Sequence, residues 1–351
     1  MDLNDFEKFS HVDRENMLAH INGLPAQFAE AWKLGCTLPL VAMQPVSKVV
    51  VAGMGGSAIG ADLLAAFLAD RLLIPFVVHR DYDLPAFAFG KDTLVVVSSH
   101  SGNTEEVLSA FEMALKRDCQ AVVLSTGGKL EEAGIKAGVP VWKFHHIGQP
   151  RTAVGYSFGL LLALLTRIGL VEDLSSEVAY ACEVMTTLQA RIKAETPVLQ
   201  NPAKRQAGQF IGRHVTVFGS GFMAPVARRW KTQLNEVAKA FAGFEYLPEA
   251  DHNTLAGISN PEEQICTEYA MFLSATMDHP RNQTRVEKTR DIMMLEGVST
   301  DTFTAKGDTR LAQMWSTLLF GDYVAYYLAL ACDTDPTPIP PIMVLKEGMS
   351  E

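Results

Sequence analysis

A cluster of hydroxyl side chains marks residues 98–106, which read SSHSGNTEE. Ser99, Ser101 and Thr104 follow an apolar run that ends at Val97, so we expect them where a strand ends and a helix begins. Hydroxyls and the N–H groups of a helix N-terminus both donate hydrogen bonds to anions. A helix cap requires one hydroxyl, whereas three are present, and the segment therefore predicts a phosphate-binding loop.

A glycine-rich segment, Gly53–Gly60, follows a second apolar run, Val49–Ala52. Glycines allow a tight turn and a close approach of the backbone to a ligand. The spacing differs from a dinucleotide fingerprint, and no GKS or GKT sequence is present, so dinucleotide and triphosphate loops are disfavoured. Gly56 and Ser57 are candidate phosphate contacts, and the alternative is a strand–helix turn without a ligand. Ser125–Gly128, after another apolar run, is as readily an ordinary loop as a ligand contact.

Short apolar runs alternate with helix-like segments around these loops, which predicts a doubly wound α/β sheet. The predicted strands are Val49–Ala52, Phe76–Val78, Leu94–Val97 and Ala121–Leu124, and the predicted helices are Ala61–Ala69, Thr104–Lys116 and Leu130–Lys136.

A second unit of the same kind is predicted from about Val215. VTVFGSGFMAPVARRW resembles VVVAGMGGSAIGADLL in layout, with Gly219 matching Gly53 and Gly221 matching Gly55 at one offset. Such a match suggests an internal duplication. The predicted organisation is a helical N-terminal segment (1–45), a first domain (46–175), a helical connector (176–205) and a second domain with the C-terminal tail (206–351).

Composition limits the classes of partner. The chain has 351 residues, enough for about two domains, and a formal net charge of −10 without basic blocks, which disfavours nucleic acids and anionic membranes. Its five cysteines are widely spaced, which argues against a zinc site and a disulfide framework and favours the cytoplasm. The polar N-terminus is not a signal peptide, and the apolar run Gly159–Leu165 is too short to cross a bilayer.

These motifs resemble the sugar isomerase (SIS) domain family and, more narrowly, the bifunctional phosphoglucose/phosphomannose isomerases. The resemblance runs nearly end to end. It implies an α/β fold of two SIS-type doubly wound parallel-sheet domains, with a helical N-terminal segment and the active site in the cleft between the domains. Besides the two loops it covers Asp13–Pro25, Gln149–Arg151, Asn235–Glu236, His252–Asn253, Asp278–Asn282 and Asp335–Pro338.

The resemblance implies an aldose–ketose isomerase that interconverts glucose 6-phosphate or mannose 6-phosphate with fructose 6-phosphate through a cis-enediol. Gly56, Ser57, Ser99, Ser101 and Thr104 would hold the phosphate. No cofactor and no metal is expected. The sugar phosphate is the expected small-molecule partner, and the expected assembly is a homodimer with the active site near the subunit interface.

Glu236 is implied to be the base that carries a proton between C1 and C2, a task that suits a carboxylate. From the residues alone, a solvent-facing glutamate at the edge of an apolar helical stripe is the better interpretation, and the resemblance reverses that preference. The stripe consists of Val226, Trp230, Leu234, Val237 and Phe241.

Three further residues receive roles from the resemblance. His252 is implied to open the sugar ring, because an imidazole exchanges protons near neutrality, and Lys346 is implied to assist it. Arg151 is implied to stabilise the negative charge of the enediolate.

One residue departs from the family pattern: His100 stands where the family commonly has tyrosine between the two loop serines. The alternatives are an isomerase of an amino sugar or pentose phosphate, with the same phosphate loop, and a non-catalytic SIS protein that binds a sugar phosphate. A dehydrogenase is disfavoured by the glycine spacing.

Overall fold

The structure, a computed structural model, describes residues 1–349. The chain forms two compact units whose boundaries lie between helices α1 (Met17–Asn22) and α2 (Leu24–Thr37) and at Cys182–Glu183. Residues 23–182 are the N-sheet unit; residues 1–22 and the chain from Glu183 onward are the C-sheet unit. The predicted segment 1–45 is thus divided between the units, and the unit boundary falls within the predicted connector 176–205.

The N-sheet unit is built on five parallel strands in the order β2-β1-β3-β4-β5. Its strands are β1 (Lys48–Gly53), β2 (Phe76–His79), β3 (Thr93–Ser99), β4 (Gln120–Ser125) and β5 (Val141–Lys143). Its further helices are α3 (Gly55–Phe67), α4 (Glu105–Lys116), α5 (Gly128–Ala137) and α6 (Val154–Arg167), and α7 (Ser175–Ile192) continues across the unit boundary.

Four of these strands confirm the prediction from apolar runs. β3 is buried at every residue, as expected for a central parallel strand covered on both faces. β5 was not predicted, because Val141–Lys143 is short and sits at the sheet edge. α3 begins at Gly55, whereas the predicted helix began at Ala61. Glycine is a poor helix former, but the glycines at the start of α3 permit close packing against neighbouring segments.

The C-sheet unit has four parallel strands in the order β7-β6-β8-β9. They are β6 (His214–Ser220), β7 (Ala242–Leu247), β8 (Glu268–Ser274) and β9 (Ser299–Thr304). The helices are α8 (Pro202–Phe210), α9 (Ala224–Glu236), α10 (Glu262–Ile265), α11 (Pro280–Leu295), α12 (Arg310–Ala331) and α13 (Pro340–Met349). In both sheets the first strand of the unit has the second strand on one side and the third strand on the other. This shared order confirms the predicted α/β class with two doubly wound parallel sheets.

The N-terminal residues of the C-sheet unit are held by a buried carboxylate. Asp13 lies four residues before α1 begins, and its carboxylate accepts hydrogen bonds from the first two backbone N–H groups of that helix, those of Met17 (2.7 Å) and Leu18 (3.0 Å). The hydroxyl of Tyr326 on α12 donates to the same carboxylate at 3.0 Å. Asp13 thus joins the first helix of the chain to the core of its unit.

Two long apolar helices, α6 and α12, are almost wholly buried in their own units. Within residues 1–349, no helix combines the length and the apolar character that crossing a membrane would require. The predicted interpretation of Gly159–Leu165 as part of a buried helix is confirmed.

Close packing of α9 on α12 generates a stability prediction. A Cβ atom at Gly321 would overlap the indole of Trp230, whose Nε1 donates to the Thr317 carbonyl at 2.9 Å. We expect Gly321→Ala to lower the free energy of unfolding by about 1–3 kcal/mol, the usual cost of overpacking. Gly208→Ala is the control: a Cβ added to this helical glycine would meet no atom of residues 1–349 outside its own helix backbone within 4 Å, and the change should be neutral or stabilise by up to about 1 kcal/mol. Urea denaturation measures both, and equal effects would contradict the packing.

Candidate active site

The carboxyl ends of β1, β3 and β4 lie side by side in the N-sheet unit. Gly53 at the end of β1 is in register with Ser98 of β3, and Ser99 is in register with Ser125 of β4. From β1 the chain crosses to β2 on one side, and from β3 it crosses to β4 on the other. Such a switch point is where open parallel sheets bind ligands.

The glycine-rich turn after β1 brings a second segment close. Gly55 has a φ of 49°, a left-handed conformation that glycine adopts without strain. A Cβ at Gly56 would overlap the carbonyl of Pro150, so this glycine is required for the contact between α3 and residues 150–152. The Ser57 hydroxyl is 7% exposed and has no hydrogen-bond partner among residues 1–349. The turn therefore offers backbone and hydroxyl donors beside Arg151.

The serine-rich loop after β3 is closed by its own hydroxyls. The Oγ of Ser99 lies 2.8 Å from Oγ1 of Thr104 and accepts the Gly102 N–H at 3.1 Å. Ser101 accepts the Asn103 N–H at 3.2 Å and is exposed. Thr104 is the N-cap residue of α4, yet its side chain makes no capping bond. The alternative that Thr104 serves as an ordinary side-chain cap is therefore wrong, and its hydroxyl is oriented by Ser99.

The loop after β4 supports the serine-rich loop from the other side. A Cβ at Gly102 (φ 67°) would overlap the carbonyl of Gly127, and Leu130 N donates to the Gly102 carbonyl at 2.9 Å. Ser125 donates to the Gly127 carbonyl at 2.7 Å. Ser125–Gly128 therefore acts as a wall for the neighbouring loop.

Three helices begin at this edge of the sheet: α3, α4 and α5. At none of them does the N-cap residue (Met54, Thr104 or Gly127) form a side-chain capping bond. A helix N-terminus carries roughly half a positive charge and unsatisfied N–H donors. The edge is therefore suited to an anion.

Arg151, assigned from the resemblance, lies at this edge in a 3-10 turn, Pro150–Thr152, and is only 2% exposed. The sequence did not single out His146, which lies between β5 and this turn. His146 Nδ1 is 2.9 Å from Nε2 of His100, and His146 Nε2 is 3.3 Å from the hydroxyl of Thr152. The signal available in the sequence was the adjacent pair His145–His146, two residues before Gly148. The structure thus brings together in one unit the five predicted phosphate contacts and Arg151.

The equivalent turn of the C-sheet unit confirms the internal match but is filled. Gly221 has a φ of 50°, close to the 49° of Gly55, and the preceding residues Ser220 and Met54 have the same extended conformation. A Cβ at Gly55 would meet no atom of residues 1–349 within 4 Å, whereas one at Gly221 would overlap the carboxylate of Asp278. Asp278 accepts bonds from Ser220 Oγ and from the His279 N–H (2.7 Å). A carboxylate of the chain therefore occupies the second turn.

Glu236 is the last residue of α9 and is half-buried in the C-sheet unit. Four residues of the predicted apolar stripe are buried, namely Val226, Trp230, Leu234 and Val237. Phe241 is 85% exposed, and its inclusion in the stripe was wrong because the helix ends before it.

The helix that carries Glu236 is fixed by charge as well as by packing. Arg229 donates to both oxygens of Asp322 on α12, at 3.2 Å from Nε and 2.9 Å from Nη2, and both side chains are buried. Burial raises the pKa of Asp322, while Arg229 opposes that shift. Breaking such a pair on one side leaves a buried charge, so the pair holds α9 at one register on α12.

The C-terminal tail returns to the end of α9. The ammonium group of Lys239 donates to the Glu236 carbonyl at 2.7 Å and to the Pro336 carbonyl at 3.0 Å. Beyond the tail, α13 begins at Pro340, a position that suits proline because the first N–H groups of a helix have no partner within it. Lys346 lies on α13 and is exposed.

His252 is exposed at the end of a 3-10 turn, Glu249–His252. Its neighbour Asp251 is anchored on α11, where it accepts from Arg285 at 2.6 Å and from the Thr289 hydroxyl at 2.7 Å. The histidine thus has a fixed backbone and a side chain in contact with solvent. Glu236, His252 and Lys346 all belong to the C-sheet unit.

Comparison with known proteins identifies the family to which this chain belongs. A bifunctional phosphoglucose/phosphomannose isomerase of Caldicellulosiruptor bescii is 38% identical over 95% of this chain and 99% of its own length. The chain belongs to this family. The relative from Aquifex aeolicus with the same name is 32% identical over 88% of this chain and 92% of its own.

Further matches agree with this phosphoglucose/phosphomannose isomerase family. Residues 199–349 match the model of the bacterial phospho-glucose isomerase C-terminal SIS domain. A crystal structure of a hypothetical protein from Thermus thermophilus covers 98% of this chain and 93% of its own, with a TM-score of 0.74 at 14% identity. That similarity shows that the two proteins share a fold.

The two matched turns generate a prediction about backbone and space. Gly55→Ala should cost about 1 kcal/mol, because alanine is strained at positive φ. Gly221→Ala has the same strain and in addition displaces the Asp278 carboxylate, so its cost should be about 1–3 kcal/mol larger. In an Asp278→Ala background, the free energies of unfolding lost by Gly55→Ala and by Gly221→Ala should become more alike. Urea denaturation of the six proteins (the native chain, Asp278→Ala, and each glycine variant in both backgrounds) tests this, and equal costs in the native background would show that Asp278 does not fill the turn.

Proposed function

We propose that the protein interconverts glucose 6-phosphate and mannose 6-phosphate with fructose 6-phosphate through a cis-enediol, without a metal ion. Membership of the phosphoglucose/phosphomannose isomerase family makes the chain a sugar-phosphate isomerase. The substrates and the mechanism are the proposal. The observation that carries it is the edge of the N-sheet unit, where the N-termini of α3 and α4, which have no side-chain cap, meet the Ser101 and Thr104 hydroxyls. The start of α5 is instead bonded to the serine-rich loop, where Asn103 Oδ1 accepts the Lys129 N–H at 3.2 Å.

In this proposal the phosphate is bound by backbone and side-chain donors. Gly56 and Ser57 contribute from the start of α3, and Ser101 and Thr104 from the loop before α4. Ser99 is 2% exposed and bonded within the loop, so it acts by orienting Thr104. Donors held in place before the ligand arrives bind it without a reorganisation cost.

The proton transfers are assigned to the C-sheet unit. His252, assisted by Lys346, moves a proton between the ring oxygen and O1 to open the sugar. Glu236 then takes the proton from C2 and returns it to C1, while a hydroxyl proton passes from O2 to O1. The buried Arg151 guanidinium stabilises the enediolate oxygens. Because the enediol is planar at C2, both C2 epimers give the same intermediate, and a base that reaches C2 in either epimer converts both to one ketose.

The remaining assignments stay predictions. The resemblance implies a homodimer with the active site near the subunit interface, and the cysteine pattern favours the cytoplasm. Analytical ultracentrifugation addresses the first of these directly.

Replacing the base tests the proton transfer. Glu236→Gln removes the titrating oxygen at nearly constant size, and kcat should fall about 10²–10⁴-fold, the usual contribution of a positioned base. Turnover of glucose, mannose, glucosamine and ribose phosphates should be compared in the presence of EDTA, with solvent deuterium incorporation at C1 and C2 as a second measurement. Glu245→Gln, on edge strand β7, is the matched control and should keep its activity. Near-normal turnover by Glu236→Gln would refute the assignment.

Removing one loop hydroxyl tests the phosphate site. Thr104→Val keeps the shape of the side chain but loses the donor, so KM for fructose 6-phosphate should rise about tenfold or more, with kcat less affected. Thr166→Val, which removes a hydroxyl bonded to the Glu172 carbonyl elsewhere in the same unit, should leave KM unchanged. An unchanged KM for Thr104→Val would place the phosphate elsewhere.

A further inference from the structure

His100, the residue that departs from the family pattern, lies in the serine-rich loop and is half-buried. Its backbone carbonyl accepts from the Thr126 hydroxyl at 2.6 Å, which fixes the residue against the loop after β4. Its ring makes edge-on contacts with Phe144 and His146. The imidazole is thus held in place within the loop to which the phosphate is assigned.

The hydrogen bonds of the cluster determine which ring nitrogens carry protons. The Thr152 hydroxyl donates its one hydrogen to the Gln149 carbonyl at 2.8 Å, so it accepts from His146 Nε2. His146 is then protonated at Nε2 and accepts at Nδ1, which lies 2.9 Å from Nε2 of His100. His100 must therefore donate from Nε2.

This chain of donors leaves one place for an additional proton. Protonating His146 Nδ1 would set two N–H donors against each other at 2.9 Å. His100 Nδ1 has no partner among residues 1–349, and protonating it preserves every bond in the chain. The pair therefore holds at most one positive charge, and that charge resides on the phosphate loop.

We propose that binding of a phosphate monoester is coupled to proton uptake at His100, and that His146 and Thr152 hold the resulting imidazolium in position. The proposal rests on the assignment of the phosphate to this loop. It adds a residue to the binding site and makes substrate affinity depend on pH.

The surroundings favour a neutral His100 before the ligand arrives. Burial lowers the pKa of His100 below its usual value, so the free protein carries little charge there at neutral pH. A phosphate dianion close to the ring has the opposite effect and favours the charged form.

Titratable groups also lie on the segments next to the pair. Glu105 and Glu106 lie in the first turn of α4, Arg151 lies beside Thr152, and His145 is the exposed neighbour of His146. On α6, Tyr156 contacts the His146 ring and is bonded to Glu30 of α2; burial, followed by this bond, raises its pKa to about 12. Tyr156 therefore stays neutral over the range in which His100 titrates.

Calorimetry tests the coupling with sorbitol 6-phosphate, which has no carbonyl group and cannot be isomerised. Binding enthalpies at pH 7.0 in two buffers of different ionisation enthalpy give the number of protons taken up. We expect a clear fraction of one proton for the native protein and almost none for His100→Gln. Since the second ionisation of the phosphate contributes equally to both proteins, their difference reports the histidine.

Variants of His146 show whether this residue positions His100 or only maintains the local structure. His146→Gln retains an acceptor for His100 and should keep most of the uptake, whereas His146→Phe should lose it. His145→Gln, next to the pair and exposed, is the control and should match the native protein. Relative to the native protein, His100→Gln should lose about tenfold more affinity for sorbitol 6-phosphate at pH 6.5 than at pH 8.5. A ligand that raises the pKa of a group by one unit binds the protonated form about tenfold more tightly.

The outcomes distinguish this inference from the proposed function. If sorbitol 6-phosphate binds and the native protein takes up no more protons than His100→Gln, the inference is wrong while the phosphate site stands. If it does not bind at all, both are wrong. Should a variant fail to fold, the imidazole Cε1–H resonance of His100 can be titrated in the native protein. The midpoint of that titration should move to higher pH when sorbitol 6-phosphate is bound, and an unchanged midpoint would overturn the proposal.

Discussion

The parallel order of strands in the N-sheet unit is the constraint on which its chemistry depends. Because β1, β3 and β4 all end at one edge, the helices that follow them begin there, and their N-terminal dipoles add at a single place. An antiparallel sheet would alternate these ends and cancel the effect. In the proposed phosphate site, the loop hydroxyls would orient an anion that these dipoles favour.

Close backbone contacts make this edge rigid. Gly56 admits the carbonyl of Pro150, Gly60 admits Ser157 of α6, and Gly102 admits the carbonyl of Gly127. Each contact requires the absence of a Cβ atom, so the glycines of the motif serve contacts between segments of the protein as much as contacts with a ligand. The buried Arg151 is positioned by the first of these contacts.

Local pattern was sufficient for much of the fold. Continuous apolar runs such as Leu94–Val97 could be identified wherever a strand is buried on both faces. β5 has only three residues, one of them exposed, and therefore lacks that signal. Phe241 was wrongly assigned to the apolar stripe because it keeps the helical spacing in the sequence, although the helix ends at Glu236. The contact of His100 with His146 joins residues far apart in sequence, and no spacing rule reveals it. Similarly, only coordinates show that Asp278 fills the second turn.

The occupied turn of the C-sheet unit distinguishes it from the matching turn of the N-sheet unit. Its carboxylate remains at the helix start at every ligand concentration, since it is part of the polymer. Any anion from solution would have to compete with a group whose effective concentration is set by the chain itself, so covalent connectivity closes this turn to mobile anions. The turn at Gly55, where a Cβ would meet no atom of residues 1–349 within 4 Å, has no such competitor within those residues.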